Sequence, residues 1–316
     1  MMMKTAVLTE HGFEIQEVKI PEIGDDELLI QTHSSGVCSG DLFVYQNRET
    51  MAKAYSRLGH EGSGQVVQVG KNVAGFSKGD VVTSFSLPVY SEYFASKPSE
   101  LVKLPSTINP TYALGEAIAC CVHAGNRFGI QPGDKVAIIG CGFMGLVCQQ
   151  IAVYQLAGEI CAIDPMADRL SLSQQFGAVA AYNPSVVEAD EILDKHGPFD
   201  VVIEAAGVQS AVDLSTELVA EHGRLILVGY HQSHNGMRSV NMQKWNYKAI
   251  DVVNGHVRRV DEKLDAMRQG MMMMAQGYIV TEPLVQVFNF ADTEQAFQLL
   301  DQRQDGLLKA VLMINP

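Results

Sequence analysis

Residues 136–145 have the sequence Val-Ala-Ile-Ile-Gly-Cys-Gly-Phe-Met-Gly, and this stretch decides the fold. The apolar run predicts a buried strand, and the three glycines have the spacing Gly-x-Gly-x-x-Gly. Gly140 allows a tight turn, Gly142 lets a pyrophosphate approach the backbone, and Gly145 lets the next helix pack close to the strand. Backbone N–H groups at the start of that helix would then face the phosphates of a dinucleotide.

An acidic residue follows where a dinucleotide site requires one. Asp164 lies 19 residues after Gly145 and ends the apolar run 160–163. Its carboxylate could accept both hydroxyls of an adenosine ribose, which favours NAD over the 2′-phosphate of NADP. A purely structural glycine turn is the alternative. Arg169 either lies over the adenine side of the cofactor or pairs with Asp168 at the surface. The predicted cofactor-binding residues are Gly140, Gly142, Phe143, Met144, Gly145, Asp164, Arg169, Val228 and Gly229.

Composition limits the class of protein. The 316 residues suffice for two domains, and the net charge of −13 argues against nucleic acid and anionic membranes as partners. Six cysteines without a framework spacing favour a reduced, cytoplasmic setting over a disulfide scaffold. The first ten residues lack the long apolar region of a signal peptide, and no run reaches the length of a membrane span.

Two patterns of secondary structure divide the chain. The first ~105 residues contain short β patterns broken by Gly, Pro and Asp, which predicts a barrel or sandwich. From Tyr112 strands alternate with helices, which predicts a doubly wound parallel sheet. The C-terminal strand 309–314 must pair elsewhere, and we expect it to return to the first domain. The predicted domains are therefore 1–111 with 279–316, and 112–278.

A second group of chemically reactive residues lies in the first domain. Cys38, His60 and Glu61 offer a thiolate, an imidazole and a carboxylate from two loops. Zinc accepts these ligand types, and a zinc ion with three protein ligands stays open to substrate. Taken alone, a buried structural cysteine and a hydrogen-bonded histidine explain this pair of loops better.

The motifs together resemble the zinc-containing medium-chain dehydrogenase/reductase family. The resemblance rests on Gly-Val-Cys-x-x-Asp at 36–41, Gly-His-Glu-x-x-Gly-x-Val-x-x-Val-Gly at 59–70, Gly-Asp-Val-Val at 79–82 and the glycine motif at 140–145. It covers the chain from Thr5 to Leu312. The family implies an α/β fold in which a GroES-like β-barrel catalytic domain joins a Rossmann doubly wound parallel sheet. It also implies a catalytic zinc ion and hydride transfer between an alcohol and NAD(P).

The resemblance assigns the metal ligands residue by residue. Cys38 and His60 match the first two ligands, and Glu61 matches the acid that either coordinates zinc or stands just behind it. Glu116 matches the third ligand of the sorbitol and other polyol branch. Cys120, one helical turn further, is the alternative third ligand. A helix-start carboxylate stabilised by the helix dipole is the structural alternative for Glu116.

Two more charged residues take roles from the family. Asp41 would accept a hydrogen bond from His60 and fix its ring. Lys309 matches a basic position near the acid Glu61. An ordinary surface charge is the alternative for each.

Three features depart from the family pattern. Gly40 stands where a Ser or Thr usually relays the alcohol proton, so either Ser39 or a water takes that role. No cysteine lies between Cys38 and Cys120, so we expect one catalytic zinc at most and no structural zinc. The segments 230–236 and 241–247 resemble those of dehydrogenases for polyols, cyclitols or amino-cyclitols. Candidate pocket residues, each more common in a core, are Phe43, Tyr45, Phe85 and Trp245.

The predicted function is that of a cytoplasmic, NAD-dependent zinc alcohol or polyol dehydrogenase, as a homodimer or homotetramer. The predicted catalytic residues are Cys38, Ser39, Asp41, His60 and Glu61. Two alternatives stay open: a zinc-free reductase of the same superfamily that uses NADPH, and a non-catalytic NAD-binding protein. The substrate is a small-molecule alcohol or polyol whose identity the sequence does not give.

Overall fold

A computed structural model describes residues 1–315. Its strands are β1 Met2–Thr9, β2 Gly12–Lys19, β3 Leu28–Gly36, β4 Glu61–Val69, β5 Val81–Ser84, β6 Tyr93–Ser96, β7 Leu101–Lys103, β8 Lys135–Ile139, β9 Glu159–Ile163, β10 Ala180–Tyr182, β11 Phe199–Glu204, β12 Val219–Leu227, β13 Asp251–Asn254, β14 Gln286–Asn289 and β15 Ala310–Met313. Its α-helices are α1 Ser39–Gln46, α2 Arg48–Met51, α3 Gly115–Gly125, α4 Phe143–Tyr154, α5 Ala167–Gln175, α6 Ala189–His196, α7 Gln209–Leu218, α8 Met242–Lys248, α9 Val260–Ala275 and α10 Thr293–Asp301.

The chain forms two compact units. One contains Met1–Ala119 and the residues from Arg259 onward, and the other is Cys120–Arg258. The predicted boundaries at 111/112 and 278/279 therefore differ from those observed, because α9 belongs to the first unit. A Cβ built on Gly115 would stand 2.8 Å from the sulfur of Met267, which lies on α9. Helix α9 therefore packs against the start of α3. None of the helices within 1–315 is long and apolar enough to cross a membrane.

The second unit is built on a six-stranded parallel sheet in the order β10-β9-β8-β11-β12-β13. This is the 3-2-1-4-5-6 order of a doubly wound fold, in agreement with the predicted fold class. Strands in the middle of such a sheet are buried on both faces, and Val136 to Ile138 of β8 are fully buried. The first and fourth strands thus lie side by side, and their carboxyl ends meet where ligands of such sheets bind.

The first unit contains a mostly antiparallel sheet in the order β14-β15-β3-β4-β5-β7, with β6 also paired to β3. The hairpin β1–β2 pairs along its full length, from Met2 with Lys19 to Thr9 with Gly12. As expected, β15 returns to this unit, where it pairs antiparallel with β3 and parallel with β14. The return brings Lys309, just before β15, close to the β3–β4 pair.

Several elements differ from those predicted. The sequence pattern predicts a helix over 113–128, but α3 is shorter and spans Gly115–Gly125. The pattern also predicts a helix over 210–221, but α7 ends at Leu218, since Val219 is extended and begins β12. Helices α1, α2, α6 and α8 were not predicted. Two of the candidate pocket aromatics belong to cores instead: Tyr45 packs with Phe13 and Phe297, and Trp245 packs on the core of the second unit.

Candidate metal and dinucleotide sites

Three potential metal ligands converge at one end of the β3–β4 pair. Cys38 follows β3 and caps α1, its sulfur accepting a hydrogen bond from the Gly40 N–H at 3.4 Å. His60 precedes β4, and Glu61 is its first residue. One potential ligand atom from each of the three side chains lies within 4.8 Å of the others. The two loops that the sequence paired therefore meet in space, and we refer to Cys38, His60 and Glu61 as the metal group.

Glu61 supplies the observation that tests whether a cation fits this group. Its side chain is 1% exposed, and one oxygen, Oε1, accepts a hydrogen bond from the Lys309 ammonium at 2.6 Å. The other oxygen, Oε2, is buried and has no hydrogen-bond partner. A buried carboxylate oxygen without a partner is costly, and coordination to a cation would offset that cost. Thiolate, imidazole and carboxylate are the donors that zinc prefers, so the residues fit zinc.

Two buried side chains, Asp41 and Tyr90, hold His60 in position. Its Nδ1 lies 3.5 Å from Asp41 Oδ1, and the Tyr90 hydroxyl donates to Asp41 Oδ2 at 2.7 Å. Gly59, just before His60, has a φ of +90°, and a Cβ there would stand 2.4 Å from the Tyr90 ring. Burial lowers the pKa of His60, but its bonds to Asp41 and Cys38 outweigh burial and raise that pKa to about 12. The surroundings of His60 are therefore anionic and favour a cation.

Lys309 is buried beside the metal group. Burial lowers its pKa, but the negative charges of Glu61, Cys38 and Glu116 outweigh burial and raise the pKa of Lys309 above its usual value. The side chain is therefore a permanent ammonium that balances Glu61. The family assignment of a basic residue near this acid agrees with its position.

Glu116 lies next to the metal group but not within it. Its Oε1 accepts a hydrogen bond from the Lys263 ammonium of α9 at 2.8 Å, and Lys263 Nζ lies 5.3 Å from the centre of the Phe85 ring. The structure thus does not bring Glu116 into the group that the sequence predicted for it. The alternative ligand, Cys120, belongs to the other compact unit.

The charges around the metal group would leave an excess of two negative charges in the ligand form that binds a metal. In that form Cys38 is a thiolate and His60 a neutral imidazole, and the neighbourhood contains four anionic groups and two ammonium groups, namely Cys38, Asp41, Glu61 and Glu116 against Lys263 and Lys309. One divalent cation would neutralise this excess. Charge balance therefore agrees with the donor set in favouring a divalent metal.

The helix that follows Cys38 has no relay hydroxyl at its second residue. Ser39 begins α1, and Gly40 follows it. Gly40 places no side chain near the metal group, and the atom nearest to its missing Cβ is Cys38 Sγ, at 3.8 Å. Ser39 is therefore the hydroxyl nearest in sequence to the Cys38 ligand.

The glycine turn of the second unit has the geometry of a phosphate site. Gly140 has a φ of +94°, and a Cβ on Gly145 would stand 1.8 Å from the Gly140 carbonyl oxygen. A Cβ on Gly142, in contrast, would meet no atom within 4 Å. Gly142 caps the start of α4, a helix of 12 residues whose first N–H groups point toward the space beyond its N-terminus. The turn thus leaves open space where a pyrophosphate would bind.

Asp164 directly follows β9 and is held in place by backbone donors. The Cys141 N–H donates to Oδ2 and the Met166 N–H to Oδ1, both at 2.8 Å. The side chain is 3% exposed, and Arg169 lies 3.8 Å from Oδ2. Asp164 therefore tethers the glycine turn to β9, and each oxygen keeps a lone pair for a further donor.

The sequence analysis missed a buried network at the carboxyl end of β11. Glu204 accepts hydrogen bonds from the Gly207 N–H at 2.6 Å and lies 3.1 Å from His231 Nε2. Arg238 Nε donates to His231 Nδ1 at 2.9 Å, which fixes the proton of a neutral imidazole on Nε2. The backbone carbonyl of Glu204 also accepts from the Val228 and Gly229 N–H groups. The sequence signal that could have indicated this network is Glu204, an acidic residue at the end of an apolar run, as Asp164 is.

Comparison with known proteins identifies the family. Residues 24–106 match the family described as alcohol dehydrogenase GroES-like domain, and residues 144–276 match zinc-binding dehydrogenase. The chain belongs to the zinc-type medium-chain dehydrogenase/reductase family. As such it is an alcohol dehydrogenase-like oxidoreductase. It combines the GroES-like domain and the parallel sheet that the sequence predicted.

Relatives of this zinc-type dehydrogenase match most of its length. It is 25% identical to the zinc-type alcohol dehydrogenase-like protein YdjJ of Escherichia coli, with 98% of each chain covered. A sorbitol dehydrogenase of Halalkalibacterium halodurans is 27% identical, with 81% of this chain and 85% of the relative covered. A zinc-binding dehydrogenase from Sinorhizobium meliloti, solved with NADP, has a TM-score of 0.85 at 23% identity and covers 99% of this chain and 100% of its own. At that identity the likeness shows the fold.

Proposed function

We propose that this protein is a zinc-dependent oxidoreductase that transfers hydride between a secondary alcohol or polyol and NAD(H). The observation that carries the proposal is the metal group, with its buried and unpartnered Glu61 Oε2. A zinc ion, when bound, supplies a Lewis acid that lowers the pKa of a substrate hydroxyl. The sorbitol dehydrogenase relative supports a polyol among the possible alcohols.

The side chains of the metal group would hold the zinc ion and set its surroundings. Cys38, His60 and Glu61 provide the donors, and three protein ligands are the number that catalytic zinc sites use. Asp41 orients the His60 ring through Nδ1, and Lys309 offsets the charge of Glu61. Because Gly40 has no hydroxyl, we assign the proton relay to Ser39.

The glycine turn and Asp164 would bind the cofactor. N–H groups at the start of α4 face the space above Gly142, where the pyrophosphate fits. The Asp164 carboxylate favours the two ribose hydroxyls of NAD and would repel the 2′-phosphate of NADP. Arg169, beside Asp164, would lie at the adenine end of the cofactor.

Steady-state kinetics on zinc-loaded protein would test the proposal. We expect reduction of NAD⁺, and much slower reduction of NADP⁺, with at least one member of a panel of polyols, cyclitols and secondary alcohols. Cys38→Ser should abolish this activity, whereas Cys148→Ala, at a buried cysteine outside the metal group, should retain it. Metal-independent NADPH oxidation with an activated alkene would instead support the zinc-free reductase. NAD binding without turnover across the panel would support a non-catalytic protein.

A further inference from the structure

A chain of three side chains, Glu204, His231 and Arg238, joins the segments that follow β11 and β12. Glu204 is fully buried, and its Oε2 lies 3.1 Å from His231 Nε2. Arg238 Nε donates to the other ring nitrogen, Nδ1, at 2.9 Å. Because a guanidinium only donates, Nδ1 accepts, and Nε2 carries the proton that His231 donates to Glu204. The imidazole thus links a buried carboxylate to its countercharge, and we refer to these three side chains as the Glu204 network.

Both ends of the Glu204 network are tied to the backbone. Glu204 Oε1 accepts from the Gly207 N–H at 2.6 Å, in the turn after β11. Arg238 Nη2 donates to the Gly207 carbonyl at 2.8 Å. Arg238 Nη1 donates to the carbonyls of Ser233 and Met237 at 2.8 and 2.7 Å. The network therefore folds the loop after β12 around one guanidinium and fastens that loop to the turn after β11.

Three loops at this edge of the parallel sheet are in backbone contact. A Cβ on Gly140, in the turn after β8, would stand 2.8 Å from the Ala206 nitrogen. A Cβ on Gly229, after β12, would stand 2.3 Å from the Gly207 nitrogen. The glycine turn, the turn after β11 and the loop after β12 are thus packed side by side. They lie at the carboxyl ends of the strands, where ligands of such sheets bind.

The order of the strands decides which half of a dinucleotide lies over the loop after β12. The glycine turn follows β8, and Asp164, the proposed ribose ligand, follows the neighbouring strand β9. The adenosine half therefore extends toward β9. Strands β11 and β12 lie on the other side of β8. A dinucleotide that crosses the switch between β8 and β11 consequently places its nicotinamide half toward β11 and β12.

We propose that His231 is a positioning residue that holds the loop after β12 in place for the nicotinamide half of NAD(H). The inference rests on the cofactor site of the proposed function. Val228 and Gly229 begin this loop, and their N–H groups donate to the Glu204 carbonyl. With the Glu204 network intact, the loop is arranged before the cofactor binds. Without His231, the loop loses its link to the buried charge of Glu204, and only the nicotinamide half loses its binding surface.

Binding of NADH and of ADP-ribose, which lacks the nicotinamide, would test this role. We would measure NADH by fluorescence titration and ADP-ribose by calorimetry for the wild type, His231→Leu, His231→Gln and His234→Asn. His231→Leu should raise the dissociation constant of NADH about tenfold and leave that of ADP-ribose within about twofold of the wild type, because the glycine turn and Asp164 still hold the adenosine half. His231→Gln keeps one acceptor and one donor and should bind NADH within about threefold of the wild type. His234→Asn, at an exposed histidine of the same loop, should match the wild type with both ligands.

The ratio of the two dissociation constants separates positioning from a general structural role. Unchanged NADH affinity in His231→Leu would overturn the proposal, as would an equal rise of both dissociation constants or a His231→Gln variant as weak as His231→Leu. Wild type that binds neither ligand would overturn the proposed cofactor site as well.

Arg238→Lys decides the matter if His231→Leu does not fold. A lysine keeps the charge but cannot reach all the acceptors that the planar guanidinium bonds. Arg238→Lys should therefore also lose affinity for NADH and keep its affinity for ADP-ribose. A ratio of the two dissociation constants equal to that of the wild type would overturn the proposal here too.

Discussion

Tyr90 is not a metal ligand, but it contacts two residues that hold His60 in place, Asp41 and Gly59. It is 1% exposed, and its hydroxyl donates to Asp41, while its ring covers Gly59. Burial raises its pKa well above the usual value, and the charge of Asp41 acts in the same direction. The phenol is therefore protonated at neutral pH and donates to Asp41. Through Asp41 it fixes the position of His60.

Tyr90→Phe should weaken metal binding without changing the ligands. The substitution removes one hydroxyl and leaves Asp41 Oδ2 with one donor fewer, so Asp41 holds His60 less firmly. A lost hydrogen bond to a charged group costs about 1.5–3 kcal/mol, and we expect a metal dissociation constant about tenfold higher. Chelator competition measures this constant. Tyr93→Phe is the control, and an unchanged dissociation constant in Tyr90→Phe would show that the phenol does not position His60.

Cysteine alkylation should report the metal at Cys38. Burial, with the charge of Asp164, raises the pKa of Cys141 to about 12, and burial raises that of Cys161 to about 12. Few of these thiols are ionised at pH 8, and both are buried, so both should resist iodoacetamide in folded protein. Cys38 is partly exposed and should react only after the metal is removed. Peptide mass spectrometry measures each site, and alkylation of Cys38 at equal rates with and without zinc would contradict metal ligation.

The sequence predicted the residues of the metal group but not the contacts of the side chains around it. Cys38, His60 and Glu61 were suggested by their chemistry and by the family pattern, and the structure brings them together. Lys263 and Tyr90 carry no local signal, because their contacts depend on packing between distant segments. Glu116 shows the same limit, since its partner on α9 lies 147 residues away.

At the scale of elements, the register of β3 and β4 places Glu61 opposite Gly36. A Cβ on Gly36 would stand 2.2 Å from Glu61 Oε2 and 3.0 Å from Leu114, so the absence of a side chain makes room for the carboxylate. The pairing of these strands thus creates both the buried position of the acid and its unpartnered oxygen.

Gly36→Ala should displace the Glu61 carboxylate and lower metal affinity. We expect at least a tenfold higher metal dissociation constant, together with a loss of stability, since the neighbouring side chains are closely packed. Gly40→Ala is the matched control, because the nearest atom to its Cβ, Cys38 Sγ, is at an ordinary contact distance of 3.8 Å. Metal titration and thermal unfolding of both variants measure the effects. Equal affinities of the two variants would mean that Glu61 is not held by this register.

Gly142→Ala should separate cofactor binding from stability. A Cβ here meets nothing in the protein, so the free energy of unfolding should change little. The same methyl group would occupy the space of the pyrophosphate and should raise the dissociation constant of NADH at least tenfold. Fluorescence titration with NADH and thermal unfolding measure the two properties. Gly145→Ala is the contrast, because its Cβ would clash with the Gly140 carbonyl and should destabilise the fold. Wild-type NADH affinity in Gly142→Ala would contradict a phosphate site at this turn.

Because strands and helices alternate regularly, the sequence predicted the parallel sheet, whereas it did not predict the short helices. The strands from β8 to β13 are apolar runs separated by helices, and their order follows from the doubly wound fold. Helix α1 has eight residues, and its cap is the Cys38 side chain rather than a typical Ser, Thr or Asp. Helix α8 has seven residues, none of them buried. Such helices are specified by their surroundings more than by periodicity.

At the scale of the molecule, each compact unit carries one candidate site. The first contains the metal group and the second contains the glycine turn with Asp164. The sequence placed the boundaries some 8 and 20 residues away from those observed, since α3 and α9 continue the helix–strand alternation. Helix α9 nevertheless belongs to the first unit, because it packs against the start of α3 and its Lys263 pairs with Glu116.

The central claim, that Cys38, His60 and Glu61 hold one divalent metal, is tested most directly by metal content. We would measure zinc by inductively coupled plasma mass spectrometry in protein purified without chelator, with Cys38→Ser and Cys148→Ala prepared in parallel. We expect about one zinc per chain in the wild type and in Cys148→Ala, and little or none in Cys38→Ser. Wild type that contains no metal after zinc supplementation, or a Cys38→Ser variant that keeps its full zinc content, would contradict it.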